Sequence, residues 1–227
     1  MNSRAAYFLL VLVLVASLFF YRLAQEKTRR PLLITGCARS GTSYIMKVLK
    51  KSGLVLGHEV VRRDGASSWL MAVDAKEVPE GEGRSGYVFD HIFHQVRHPL
   101  KVISSFHSTH PPENHVWDYI LSHTPEISSQ DPHIVKCAKY WYYWNLKAEA
   151  EAEWTYKVEE IDQVWDEFCR RLGKKMGKEG LENIPKDANS VGPIPDFTWN
   201  DLKEQIDPDL YSNIQELAEK YGYTETI

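Results

Sequence analysis

The chain has 227 residues, 43% hydrophobic and 26% charged, which excludes a mainly disordered, collagen-like or multi-span membrane protein. Its net charge of −4 is unevenly spread, with +4 in residues 1–30, +3 in residues 31–110 and −11 in residues 111–227; the acidic whole argues against nucleic acid as a partner, while the positive middle block suits a small polyanion. Three cysteines, Cys37, Cys137 and Cys169, exclude a disulfide scaffold and a CxxC-type zinc site.

Ala5 to Tyr21 is a run of 17 residues without a charge, bracketed by Arg4 and Arg22. As a helix it is about 25 Å long, near the short end for a bilayer span. Tyr7, Phe19, Phe20 and Tyr21 put aromatic rings near both interfaces, as anchors do. A cleaved signal peptide is the competing reading, with Val15-Ala16-Ser17 as a tolerable cleavage site, although the apolar run continues beyond it. A buried core helix is the third, and nothing amphipathic in the run supports it. Arg22, Lys27, Arg29 and Arg30 follow the span and only Arg4 precedes it, so the positive-inside rule keeps the body in the cytosol. No Asn-x-Ser/Thr sequon supports the opposite, lumenal orientation. Residues 1–30 are read as tail, bilayer anchor and basic linker, and residues 31–227 as one domain.

Pro31 to Thr35 reads as a short buried strand leading into Gly36-Cys-Ala-Arg-Ser-Gly-Thr-Ser43. A helix follows from Tyr44 to Ser52, closed by Gly53. Leu54 to Leu56 is a second strand candidate, with Gly57-His58-Glu59 at its carboxyl end. Ile92 to Val96 is a third, and Pro99 suits the first turn of a helix running through Phe106. Residues 131–153 form the longest helix candidate, and its rings (Tyr140, Trp141, Tyr142, Tyr143, Trp144) are read as core and cleft wall. Thr155 to Val158 is a late strand and Glu160 to Leu172 a helix. Residues 173–198 read as loop, and helical pattern resumes from Trp199 toward Tyr221. Strands alternating with helices predict an α/β fold of three layers around a parallel sheet.

A strand, a glycine-rich loop and a helix together make an anion site, because backbone N–H groups converge where the helix N-terminus is positive. Residues 36–43 have the Gly-x4-Gly spacing of a nucleoside-triphosphate loop, but Thr42 stands where that motif needs Lys. The basic residue is Arg39, in the loop itself. This makes triphosphate with magnesium a poor ligand and a terminal phosphate next to a transferable group a better one.

Arg39-Ser40-Gly41-Thr42-Ser43-Tyr44 resembles the 5′-phosphosulfate loop of the P-loop-fold sulfotransferases, which use 3′-phosphoadenosine-5′-phosphosulfate (PAPS). The Arg-Ser-Gly-Thr form is closer to the Golgi tyrosylprotein and carbohydrate enzymes than to the Lys-bearing cytosolic ones. Arg97, Pro99 and Ser105 match the spacing of the family's 3′-phosphate motif. The resemblance covers residues 31–106, and no counterpart of the cytosolic enzymes' C-terminal Arg-Lys-Gly loop is present. It implies that Arg39, Ser40, Gly41, Thr42 and Ser43 hold the 5′-phosphosulfate and that Arg97 and Ser105 hold the 3′-phosphate. It also implies that Tyr44 stacks on adenine. Two arginine sites suit a nucleotide phosphorylated at both ends.

Sulfuryl transfer to a hydroxyl needs a base. In tyrosylprotein sulfotransferases a Gly-Glu-Glu follows the phosphate loop by about twenty residues, and Gly57-His58-Glu59 resembles it. Glu59 is the first choice of base and His58 the second. His94 falls inside a strand, and His107 and His110 lie further out. No His/Cys/Asp cluster has metal-ligand spacing, so no metal is expected. The expected activity is sulfuryl transfer from PAPS to an acceptor hydroxyl, by a membrane-anchored protein of the Golgi lumen, with a cytosol-facing orientation as the alternative. A P-loop kinase or nucleotide hydrolase, and an inactive protein that keeps the fold, are the rival readings. The acidic C-terminal part suits a neutral or basic acceptor.

Overall fold

The computed structural model describes residues 11–17, 29–185 and 197–224. Residues 11–17 are helical and exposed; the rest of the expected span from Ala5 to Tyr21 lies outside the described residues. Among the described residues, no helix is long and apolar enough to cross a membrane.

Five parallel strands form one sheet. In chain order they are β1 (Arg29–Thr35), β2 (Leu56–His58), β3 (Gly65–Ser67), β4 (Val88–Val96) and β5 (Trp154–Lys157). In space the order is β2-β3-β1-β4-β5, so β1 is central. Leu32, Leu33 and Ile34 are fully buried because both faces of this strand are covered, which is why the sequence there is a continuous apolar run rather than an alternation. Each such side chain contributes roughly 1.5–3 kcal/mol relative to exposure.

Helices cover both faces. On one, α1 (Thr42–Lys51) and α5 (Trp165–Leu172) pack Ile45, Val48, Leu49, Trp165 and Phe168 against Leu32, Ile34, Phe93 and Tyr156. On the other, α2 (Pro99–Thr109), α3 (Val116–His123) and α4 (His133–Glu151) form the larger core with Trp117, Tyr140, Trp141 and Trp144. Of the α4 rings, Tyr140, Trp141 and Trp144 are fully buried, as core residues should be, and Tyr142 and Tyr143 are half-buried. A short helix α6 (Glu179–Asn183) interrupts the segment expected to be loop. The C-terminal helical run is two helices, α7 (Trp199–Gln205) and α8 (Pro208–Lys220), because Asp207 and Pro208 start a new one.

Several boundaries differ from expectation. The helix expected at Tyr44 begins two residues earlier, at Thr42. The second strand is shifted to Leu56–His58, and β4 begins at Val88, where it pairs with Arg29. Strand β3 carries no apolar run and was not expected. It exists because Gly65 lets the chain pass so close that a Cβ there would lie 1.7 Å from the Leu32 carbonyl oxygen. Parallel neighbours normally need a crossover of about a dozen residues or more. Here residues 59–64 alone bring the chain back, through Glu59 at φ 56 and through Asp64. The Asp64 carboxylate accepts from Val55 N at 2.7 Å while Asp64 N donates to Val55 O at 3.0 Å. The result places His58, Glu59 and Ser68 beside the end of β1.

Candidate functional site

The chain leaves β1 at Thr35 and enters α1 at Thr42, turning at the carboxyl edge of the sheet. Gly36 is required there, since a Cβ would lie 2.1 Å from the Gln95 carbonyl oxygen of β4. Ser40 closes the turn on Cys37, its N–H donating to Cys37 O at 3.1 Å and its hydroxyl to the same oxygen at 2.6 Å. Gln95 Nε2 donates to Ser40 O at 2.8 Å, and Gln95 Oε1 accepts from Tyr156 at 2.7 Å. Ala38 N donates to the Tyr140 hydroxyl at 2.8 Å. Arg39 (φ 71) and Gly41 (φ 93) are both left-handed, which curves the backbone into the concave form that gathers N–H groups. Gly41 occupies the N-cap and gives α1 no side-chain cap, so the positive end of the helix is left to the turn.

Two half-buried arginines converge on this turn. Arg39 Nε donates to Ser105 Oγ at 2.8 Å, and Arg97 Nη1 donates to the Arg39 carbonyl oxygen at 3.0 Å. Neither guanidinium forms an ion pair with a carboxylate among the described residues. Burial, and then the charge of Arg97, hold the Arg39 guanidinium below its ordinary pKa. A bound anion reverses that second effect. The two expected phosphate motifs are therefore one cluster: fully buried Ser105 holds Arg39, and Arg97 holds the loop.

The remaining predicted residues divide. Ser40 and Thr42 are buried in the turn, and Gly41 and Ser43 are half-buried at the start of α1. Tyr44 is only 4% exposed and packs in the core against the sheet, so its ring faces inward rather than lining the turn. His58 Nε2 lies 3.3 Å from Thr42 Oγ1 and 3.4 Å from Glu59 Oε1. Glu59 is buried, and its Oε2 accepts from Ser68 Oγ. Burial pushes the Glu59 carboxyl up to about 7 against the opposing pull of Ser68 and the Trp69 N–H. His58 is held below its ordinary value by burial, offset in part by Glu80.

His94 is a core hydrogen-bonder, fully buried between Asn145 Oδ1 (3.1 Å) and Thr155 Oγ1 (3.2 Å), and burial pushes it down to about 4. His107 stacks on His133. His110 stands closer to the site than its sequence position implied: burial and then the Arg39 charge push it down to about 4. Gln95, Tyr140 and Ser68 were not anticipated. A buried glutamine two residues before Arg97 in an apolar strand is the one signal the sequence offered. Among the described residues, no group of three or more His, Cys, Asp and Glu is placed to hold a metal.

The arrangement offers clustered positive charge, a helix N-terminus and, beside them, a carboxylate and an imidazole that can trade a proton. No known protein family's model matches the chain, and no curated protein matches it in sequence.

Proposed function

We propose that the chain is a PAPS-dependent sulfotransferase of the P-loop type. The observation that carries the reading is the convergence of Arg39 and Arg97, neither paired with a carboxylate among the described residues, on a strand–loop–helix turn. That much fixed positive charge beside a helix N-terminus suits a polyanion, and the turn has Thr42 where a triphosphate loop needs Lys. In this reading the turn's N–H groups and Arg39 hold the 5′-phosphosulfate, with Ser105 fixing the Arg39 side chain. Arg97 serves the 3′-phosphate.

The acceptor oxygen attacks sulfur in line, the bond from sulfur to the bridging phosphate oxygen breaks, and adenosine 3′,5′-bisphosphate leaves with the electron pair. Arg39 and the helix N-terminus stabilise the charge that develops on that oxygen. The acceptor proton is taken at the Gly57-His58-Glu59 turn. The apolar run of residues 5–21 anchors the domain to a bilayer, and the lumenal side of the Golgi is proposed because the sulfotransferases with the matching loop work there.

Thermal-shift measurements with PAPS, adenosine 3′,5′-bisphosphate and Mg-ATP test the ligand, and transfer from radiolabelled PAPS across a panel of hydroxyl acceptors tests the chemistry. PAPS and adenosine 3′,5′-bisphosphate should raise the melting temperature and Mg-ATP should not. Stabilisation by Mg-ATP alone overturns the proposal in favour of a kinase or nucleotide hydrolase. Nucleotide binding without transfer to any acceptor marks a protein that has lost turnover.

A further inference from the structure

We infer that His58 and Glu59 act as one unit, in which the half-exposed imidazole takes the acceptor's proton and the buried carboxylate behind it is a positioning residue. This rests on the sulfotransfer reading and deepens it.

Glu59 sits at φ 56, and its side chain is only 9% exposed. Oε2 is occupied by Ser68, and Oε1 is buried with no hydrogen bond, facing His58 Nε2 at 3.4 Å. An acceptor hydroxyl therefore has no direct path to either carboxylate oxygen. The His58 side chain is 35% exposed, and its Nε2 is fixed between Glu59 and Thr42, the first residue of α1. Its Nδ1 makes no hydrogen bond to a described residue, in a side chain that is 35% exposed. A buried carboxylate beside one imidazole nitrogen favours the tautomer with the proton on that nitrogen, and in this inference Nδ1 is then the base.

The charged and titratable groups around the pair are Lys47 on α1, Glu80 on the segment before β4, Tyr119 on α3 and Tyr140 on α4. Of these, Glu80 raises and Lys47 lowers the His58 value, and Glu80 raises that of Glu59. Burial raises Glu59 and lowers His58, so the pair loses its last proton near neutrality and enters the reaction as neutral imidazole and carboxylate. As the acceptor oxygen bonds to sulfur, its proton moves to Nδ1. The imidazolium formed is balanced by the Glu59 carboxylate, whose Oε1 lies 3.4 Å from Nε2.

The test separates the pair from the substrate. In the ligand-free protein, NMR titration of the His58 ring should show a second inflection near pH 7, where Glu59 ionises beside it, and that inflection should disappear in Glu59→Gln. An identical His58 titration in wild type and Glu59→Gln overturns the pairing, whatever the chain transfers. With PAPS and an acceptor, His58→Ala should lose on the order of 10²-fold or more in turnover while adenosine 3′,5′-bisphosphate affinity holds within about threefold. The acid limb of the rate profile should move down in Glu59→Gln and up by about one unit in Ser68→Ala, which removes a donor to the carboxylate. Full turnover in His58→Ala, or limbs that stay in place in both other variants, sinks the inference. Absence of PAPS binding in the wild type instead sinks the sulfotransfer reading and leaves the titration result standing.

Discussion

A carboxylate buried without a cation destabilises the fold when it ionises, and Glu59 is such a group. Its pKa is raised from an ordinary 4.5 to about 7 in the folded chain. The folded state thus binds this proton more tightly than the unfolded one, so the associated stability is complete below about pH 4.5 and is lost as pH rises through 7. Glu59→Gln, which keeps the shape and cannot ionise, should match the wild type in acid and exceed it by about 3 kcal/mol at pH 8. Urea unfolding at the two pH values checks this, and equal stability at pH 8 would show that the carboxylate is better solvated than its burial indicates. A residue that weakens the fold at working pH while facing a candidate base is better explained by function than by packing. The arginines differ in what they should read. Arg39→Ala should weaken adenosine 3′,5′-bisphosphate and adenosine 5′-phosphosulfate alike. Arg97→Ala should weaken the bisphosphate more, by roughly ten- to a hundred-fold, the value of one charge-assisted contact. Equal losses for the two ligands by calorimetry would remove Arg97 from the 3′ end.

At the scale of elements, what the sequence made legible follows from how each element is stabilised. Strand β1, helix α1 and helix α4 carry continuous or periodic apolar residues because each is buried along its length, and all three were readable. Strand β3 was not, since its three residues are held by the close approach of Gly65 to Leu32 rather than by apolar side chains. The turn's own residues (Arg39, Arg97, Ser105, Thr42, His58 and Glu59) were legible because they lie in the turn itself, at carboxyl ends of strands or, for Ser105, on the helix that follows β4. Its braces, Gln95 and Tyr140, reach it across 55 and 102 residues of sequence; a glutamine in an apolar strand marks the first, and no local pattern reveals the second. The inward position of Tyr44 was readable in principle, for Tyr44, Ile45, Val48 and Leu49 form one helical stripe and all are buried. The break between α7 and α8 has an equally local cause. The Asp207 carboxylate accepts from the N–H groups of Asp209 and Leu210, each at 2.9 Å. Asp207→Ala should therefore cost about 1 kcal/mol by chemical denaturation, with Pro208 still setting where α8 begins. No change in midpoint would mean that α8 is held by its apolar face alone.

For the whole molecule, charge and anchorage set where the site can work. The positive charge of the turn sits in a chain whose residues 111–227 carry −11, so an incoming nucleotide meets an attractive patch within a repelling body. Association should therefore respond weakly to salt compared with a uniformly basic protein. The three cysteines are free and two are buried, leaving Cys169 as the thiol an oxidising compartment can reach. The proposed bilayer anchor meets two opposing orientation signals. Arg22, Lys27, Arg29 and Arg30 pull the body toward the cytosol, and the likeness of the Arg-Ser-Gly-Thr loop to that of lumenal enzymes points the other way. Flanking charge acts during insertion and the loop's likeness concerns only the folded domain, so orientation must be measured on the inserted protein. In sealed Golgi membranes the domain should survive protease until detergent is added, and alkaline extraction should leave the chain with the lipid. Digestion without detergent would place the turn in the cytosol and remove the lumenal assignment while leaving its ligand chemistry intact. Release by alkali would instead remove the anchor itself.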